Sequence, residues 1–198
     1  MAALLKAVKD VLLDTWPMIV LSSIVLISLR VAYLIKNKKK MNISKDILTL
    51  TFVLYILCMF QIVTSQDVSG VHGVNITLFK ELTRYEIGSK LFYRNIIGNI
   101  IMFIPFGFFV SYYLSLKRKR FVFFITFVIS LVIESIQLSI GRAFDVDDII
   151  LNMVGSLTGY YLYRIVDDIF GDLSDTVKGT LTVLSILVGL IIIAIIII

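Results

Sequence analysis

The chain has 198 residues, of which 59% are apolar and only 17% charged, with a formal charge of +5. Soluble domains carry an apolar share of about 45–50%, so this composition excludes an ordinary soluble fold and specifies an integral membrane protein. Nucleic acid is not an expected partner despite the charge, because Lys and Arg fall in short clusters between apolar runs, where they orient membrane helices.

The first apolar run, residues 11–35, is long enough to cross a hydrocarbon core of about 30 Å, which takes roughly 20 helical residues. Residues 1–10 read as a short amphipathic lead. A cleavable leader is not expected, since the run exceeds the roughly 7–15 residues of a signal-peptide core and no small-residue cleavage site follows. Trp16 and Pro17 are expected at the membrane entry and the first helical turn, and Arg30 is expected to snorkel towards Lys36 and Lys38 as an anchor. A second span covers residues 47–64. Cys58 lies within it with no second cysteine to pair with, and His72, just beyond, is the lone histidine, so neither a disulfide framework nor a Cys/His metal site is expected.

The connection 65–94 is the longest polar one. It should hold a short amphipathic or re-entrant piece, because Val74-Asn-Ile-Thr-Leu-Phe79 is too apolar for a free loop and too short to cross. Asn75-Ile76-Thr77 also matches a glycosylation acceptor, a pattern common by chance. Spans at 95–116 and 121–140 form an antiparallel hairpin about the basic turn Lys117-Arg-Lys-Arg120. A fifth covers 148–166 and a sixth, almost purely Ile, Leu and Val, 179–198. The expected fold is all-α, a polytopic transmembrane helical bundle of five to six spans. Its parts are 1–46 (lead, first helix and basic loop), 47–166 (transmembrane core) and 167–198 (acidic linker and last helix).

The Lys and Arg distribution predicts orientation. Loops 36–46, 117–120 and 164–178 hold eleven, against seven in the lead and the other loops, which makes the first set cytoplasmic by the positive-inside rule. The start of the third span, the end of the fourth and the start of the fifth then lie on the external face of the cell membrane, where most of the polar residues of the core converge.

Helical spacing sharpens this convergence. At about 100° per residue, Ser130, Glu134, Gln137 and Gly141 share a stripe of the fourth helix, as do Asn95, Asn99, Met102 and Phe106 on the third. On the fifth, Asp145, Asp148, Asn152, Ser156, Gly159 and Tyr163 share a side, flanked by Gly155. Asp145 and Asp148 have capping-box spacing, an acidic pair where free N–H groups and the helix dipole favour negative charge. Asn95, Asn99 and Asn152 suit interhelical hydrogen bonds, Gly155-x-x-x-Gly159 suits close helix packing, and Pro105 suits a kink. Glu134 lies roughly 9 Å below the helix end at 1.5 Å per residue, where a carboxylate is costly without water or a partner. A structural pair with Arg142 competes there with a role as proton donor or acceptor.

The ordered set Asn95-x-x-Gly98-Asn99-x-x-x-Phe103-x-Pro105-x-Gly107, Glu134-x-x-Gln137, Arg142-x-Phe144-Asp145-x-Asp147-Asp148 and Asn152-x-x-Gly155-x-x-x-Gly159 resembles the VanZ family of bacterial membrane proteins. The resemblance spans residues 47–165. One departure is the loop before the third span, which reads Val74-Asn75-Ile76-Thr77-Leu78-Phe79 where the family pattern has Asn-Leu-x-Pro-Phe. The resemblance implies a multipass plasma-membrane protein associated with low-level resistance to glycopeptides, teicoplanin in particular, and supplies no catalytic assignment.

Three functions compete. The favoured one is an external pocket of Asn95, Asn99, Glu134, Gln137, Arg142, Asp145, Asp147, Asp148 and Asn152 that binds a lipid-linked cell-wall precursor or the lipoglycopeptide without catalysis. The second is an outer-leaflet enzyme with Glu134 and Asp148 as candidate catalytic groups. There the three aspartates would bind a divalent cation or add a second carboxylate, against which stand the missing nucleophile and the six or so oxygens such a cation needs. The third is a small transporter, with no internal repeat to support it. No cofactor and no resident metal are expected; the bilayer is the expected partner, and a second copy of the chain is a candidate one.

Overall fold

The computed structural model describes residues 2–65, 73–170 and 177. Helices dominate, and two compact units are distinguished, one built on residues 1–62 and the other on residues 63–169. The predicted sixth span, His72 and most of the acidic linker lie outside the described residues.

The first unit is built on α1 (Ala2–Lys36), which is strongly apolar from Trp16 onward, and α2 (Ile43–Ser65). Helix α1 is already running when it reaches Pro17, rather than starting there as the proline suggested. Its end is a Schellman-type turn: Lys39 N–H donates to the Leu34 carbonyl and Lys38 N–H to that of Ile35, with Lys38 in the left-handed region at φ 50°. Arg30 does not simply snorkel. Its guanidinium reaches Asp46 Oδ1 at 2.7–2.8 Å and ties the end of α1 to the first turn of α2.

The second unit carries the motifs. A two-residue strand β1 (Val74–Asn75) is followed by the single-turn helices α3 (Lys80–Arg84) and α4 (Lys90–Phe92). A π-helical segment, Tyr93–Ile97, leads into α5 (Gly98–Leu114), and the wide turn is closed by Gly98 N–H donating to the Tyr93 carbonyl. Helix α5 runs unbroken through Pro105, and the irregularity expected at the proline occurs upstream, in the π-helical segment Tyr93–Ile97. Helix α6 (Lys119–Ser139), strand β2 (Phe144–Asp145) and helix α7 (Val146–Phe170) complete the unit. The strands pair in parallel, Val74 with Phe144 and Asn75 with Asp145, so the predicted re-entrant piece is a surface strand and two helical turns.

Among the described residues, four stretches are long and apolar enough to cross a membrane: Trp16–Lys36, Ile43–Thr64, Asn95–Leu114 and Lys119–Ser139. Helix α7, the predicted fifth span, has 25 residues, about 37 Å at 1.5 Å per residue. It turns several polar and small residues inward: Asn152, Gly155, Ser156, Gly159, Tyr160 and Tyr163 are buried, while Val154, Leu162 and Ile165 face out.

Helices α5 and α7 touch through their glycines. A Cβ added to Gly155 would run into the backbone of Ile100, one on Gly159 into that of Ile104, and one on Gly107 into that of Ser156. The Gly155-x-x-x-Gly159 pair is thus a backbone-to-backbone crossing of the kind small residues permit in membranes. Phe103, Phe106, Phe108 and Phe109 fill the space around it, with Phe108 edge-on to Tyr163 at 6.1 Å. Between α6 and α7, the fully buried Thr126 and Ser156 hydroxyls meet at 2.6 Å. Hydrogen bonds of this class average about 0.6 kcal/mol in membrane proteins. A Thr126→Val, Ser156→Ala double-mutant cycle, read by unfolding in bicelles, should therefore give a coupling near 0.6 kcal/mol. Zero coupling would show that each hydroxyl bonds its own helix backbone equally well.

Candidate functional site

The predicted stripe on α6 is real and faces inward: Ser130, Glu134 and Gln137 are all buried, Glu134 with 1% of its surface exposed. The helix ends just beyond it in a second Schellman-type turn. Gly141, at φ 88°, donates its N–H to the Leu138 carbonyl, and Arg142 N–H donates to that of Gln137 at 2.9 Å. The left-handed residue folds the chain back so that the Arg142 side chain returns over the helix it has just left.

Glu134 is the hub. Its Oε2 accepts the backbone N–H of Asp145 at 2.9 Å. With the Gln137 amide oriented to satisfy its neighbours, as such assignments require, Gln137 Nε2 donates to Glu134 Oε1 at 3.0 Å and its Oε1 accepts from Arg142 Nη1 at 2.6 Å. The same guanidinium nitrogen lies 3.2 Å from the Val63 carbonyl. Glu134 and Arg142 are therefore joined through Gln137 rather than as a direct ion pair.

The aspartates at the start of α7 each hold something different. Asp145 Oδ1 accepts the Asp147 N–H at 2.9 Å, a helix-capping bond, and its Oδ2 accepts from Asn75 Nδ2 at 2.9 Å. Asp147, 1% exposed, accepts the Phe79 N–H at 2.6 Å. Asp148 accepts from Asn99 Nδ2 on α5 at 2.6 Å. The capping role foreseen for Asp145 is thus present, with an acceptor for its own N–H supplied by the preceding helix. Among the described residues, no three His, Cys, Asp or Glu side chains are grouped as a metal site would need.

Further along α7, one turn past Asp148, Asn152 Nδ2 donates to Ser130 Oγ at 2.7 Å, while its Oδ1 is buried and has no partner among the described residues. Asn95, in the π-helical segment, is half-buried and makes no side-chain hydrogen bond among them. The structure thus gathers eight of the nine predicted residues into hydrogen bonds at one end of the α5–α6–α7 unit, with Asn95 on the wide turn that opens α5. Sequence reasoning missed Asn75 and the Phe79 amide. Asn75 stood out only as a glycosylation match, and its amide is in fact committed to Asp145, with its Oδ1 3.3 Å from the Thr77 N–H.

The family model VanZ/LLP1 matches residues 47–167, more than half of the chain. Comparisons with curated proteins and with solved structures give no match. The matched stretch contains every residue of the network just described, together with the glycines that close α5 on α7. The chain is a helical membrane protein belonging to the VanZ/LLP1 family.

Proposed function

We propose that the protein contributes to low-level glycopeptide resistance, towards teicoplanin in particular, from the bacterial cell membrane. In this reading the polar end of the α5–α6–α7 unit faces outward and binds a lipid-linked envelope component or the lipoglycopeptide itself, without chemistry. The observation that carries it is the network centred on Glu134, which fixes the ends of three helices and leaves Asn95 and Asn152 Oδ1 as polar groups with unspent bonding capacity beside it. A preformed polar site at the mouth of a membrane unit suits binding, because little ordering cost falls on the bound state. An outer-leaflet enzyme has less support, because both oxygens of Glu134 already accept protein donors.

Two experiments test this. Cells expressing Glu134→Gln or Asp148→Asn should insert the protein normally and lose teicoplanin protection; full protection by both would reduce the cluster to a structural role and end the proposal. For orientation, Arg118→Cys and Ala143→Cys in a Cys58→Ser background should react oppositely with a membrane-impermeant maleimide on intact cells. Labelling at position 143 is expected, and labelling at 118 alone would invert the topology.

A further inference from the structure

The segment before α5 carries a row of outward-facing apolar side chains that nothing in the network uses. Ile76 is 75% exposed and Ile87 85%, and Leu78, Phe79, Leu91 and Tyr93 are each about half exposed. Exposed Lys80 and Arg84 lie among them. The segment's place in the fold says what covers it. It runs directly into the membrane-crossing stretch that starts at Asn95, and its strand pairs with Phe144 and Asp145, just past the Ser139 end of the α6 stretch. It therefore lies where two membrane helices leave the hydrocarbon, the zone in which aromatic, apolar and basic residues mix in interfacial segments.

A second observation concerns how the segment is held. Phe79 has φ 64°, a left-handed conformation that is an outlier for a bulky residue and needs the surroundings to enforce it. What enforces it is the buried Asp147 carboxylate, which accepts the Phe79 N–H, while Asp145 holds Asn75 four residues earlier. Asp145 ends β2 and caps α7, and Asp147 lies in the first turn of α7.

We infer that residues 76–93 form a membrane-interface hook: the apolar side chains enter the lipid headgroup boundary beside α5 and α6, and Asp147 and Asp145 latch the hook down through the Phe79 amide and Asn75. The partner is the lipid surface, and the two aspartates are positioning residues for it. This inference is independent of glycopeptide binding.

The test uses the full chain in liposomes. The native Trp16 is the only tryptophan, so Trp16→Phe gives a silent background into which Leu78→Trp is placed. The expected emission is blue-shifted, quenched by lipids brominated near the headgroup end of the acyl chain, and resistant to aqueous iodide. Iodide quenching without lipid quenching would overturn the hook, and so would protection from both quenchers, which would mean that a second copy or another protein covers the face. Adding Asp147→Ala should shift the emission towards red and exchange lipid quenching for iodide quenching. Asn75→Ala carries the same prediction in weaker form should Asp147→Ala not fold. Unchanged lipid quenching in both would overturn the latch.

Discussion

Gly155→Ala should be among the most damaging single substitutions in the chain. The added Cβ falls inside the backbone of Ile100, where no side chain can turn aside, so α5 and α7 must separate. Overpacking of a close-packed interior costs about 1–3 kcal/mol, and a backbone clash belongs at the upper end of that range. Separation would also pull Asn99 away from Asp148 and loosen the Phe108–Tyr163 contact. Gly73→Ala is the control, since its Cβ would have nothing within 4 Å. Steric-trap or denaturant unfolding in bicelles should show a loss of about 3 kcal/mol for Gly155→Ala and almost none for Gly73→Ala. Equal stability of the two would mean that the crossing is looser than described.

The second large effect belongs to Glu134→Ala. Removing the carboxylate strands the Asp145 N–H and the Gln137 amide, and Gln137 in turn positions Arg142. Each buried group left unpaired costs about 1–3 kcal/mol, so a destabilisation of roughly 3 kcal/mol or more is expected. Glu134→Gln separates shape from charge. Its amide can still accept from the Asp145 N–H, but it then meets the Gln137 amide donor to donor. Turning Gln137 relieves that clash only by aiming its NH2 at the Arg142 guanidinium. The expected cost is about 1–2 kcal/mol, small enough for insertion and large enough to release Arg142. A Glu134→Ala variant as stable as the parent would contradict the hub assignment.

Much of this arrangement was legible in the sequence, and the reasons are physical. Ser130, Glu134 and Gln137 recur at helical spacing, and polar groups in an apolar segment must turn inward because lipid offers them no partner. Gly155 and Gly159 announced a close crossing because only small residues allow backbones to touch. Pro105 was a weaker guide: its missing donor is absorbed within α5, and the disturbance sits in the π-helical turn at Tyr93–Ile97, which no composition signal marks. The partners of the aspartates were hidden for a different reason. Asn75 and Phe79 reach Asp145 and Asp147 across about 70 residues of chain, and only the parallel pairing of two-residue strands brings them together. Helix α7 was also harder to read, since buried Asn152 and the ion-paired Arg164 both lower its hydropathy.

The glycine crossing and the Glu134 hub serve the same end. The first brings α5 against α7, and the second locks the turn that joins α6 to α7, so the polar groups of three helices are held in one place. The family match says which kind of protein carries this arrangement, and the network shows why its polar positions form a unit: Asp148 needs Asn99, Asp145 needs Asn75, and Glu134 needs both the Asp145 amide and Gln137.

The most direct test of the central claim places a photo-activatable residue at Asn95, beside the network, and a second at Lys117, near the opposite end of the unit, in living cells. Cross-linking from position 95 to a lipid-linked envelope component or to added teicoplanin, with none from position 117, is the predicted result. Equal capture at both positions, or no capture at 95 in a protein that still protects its host, would contradict it.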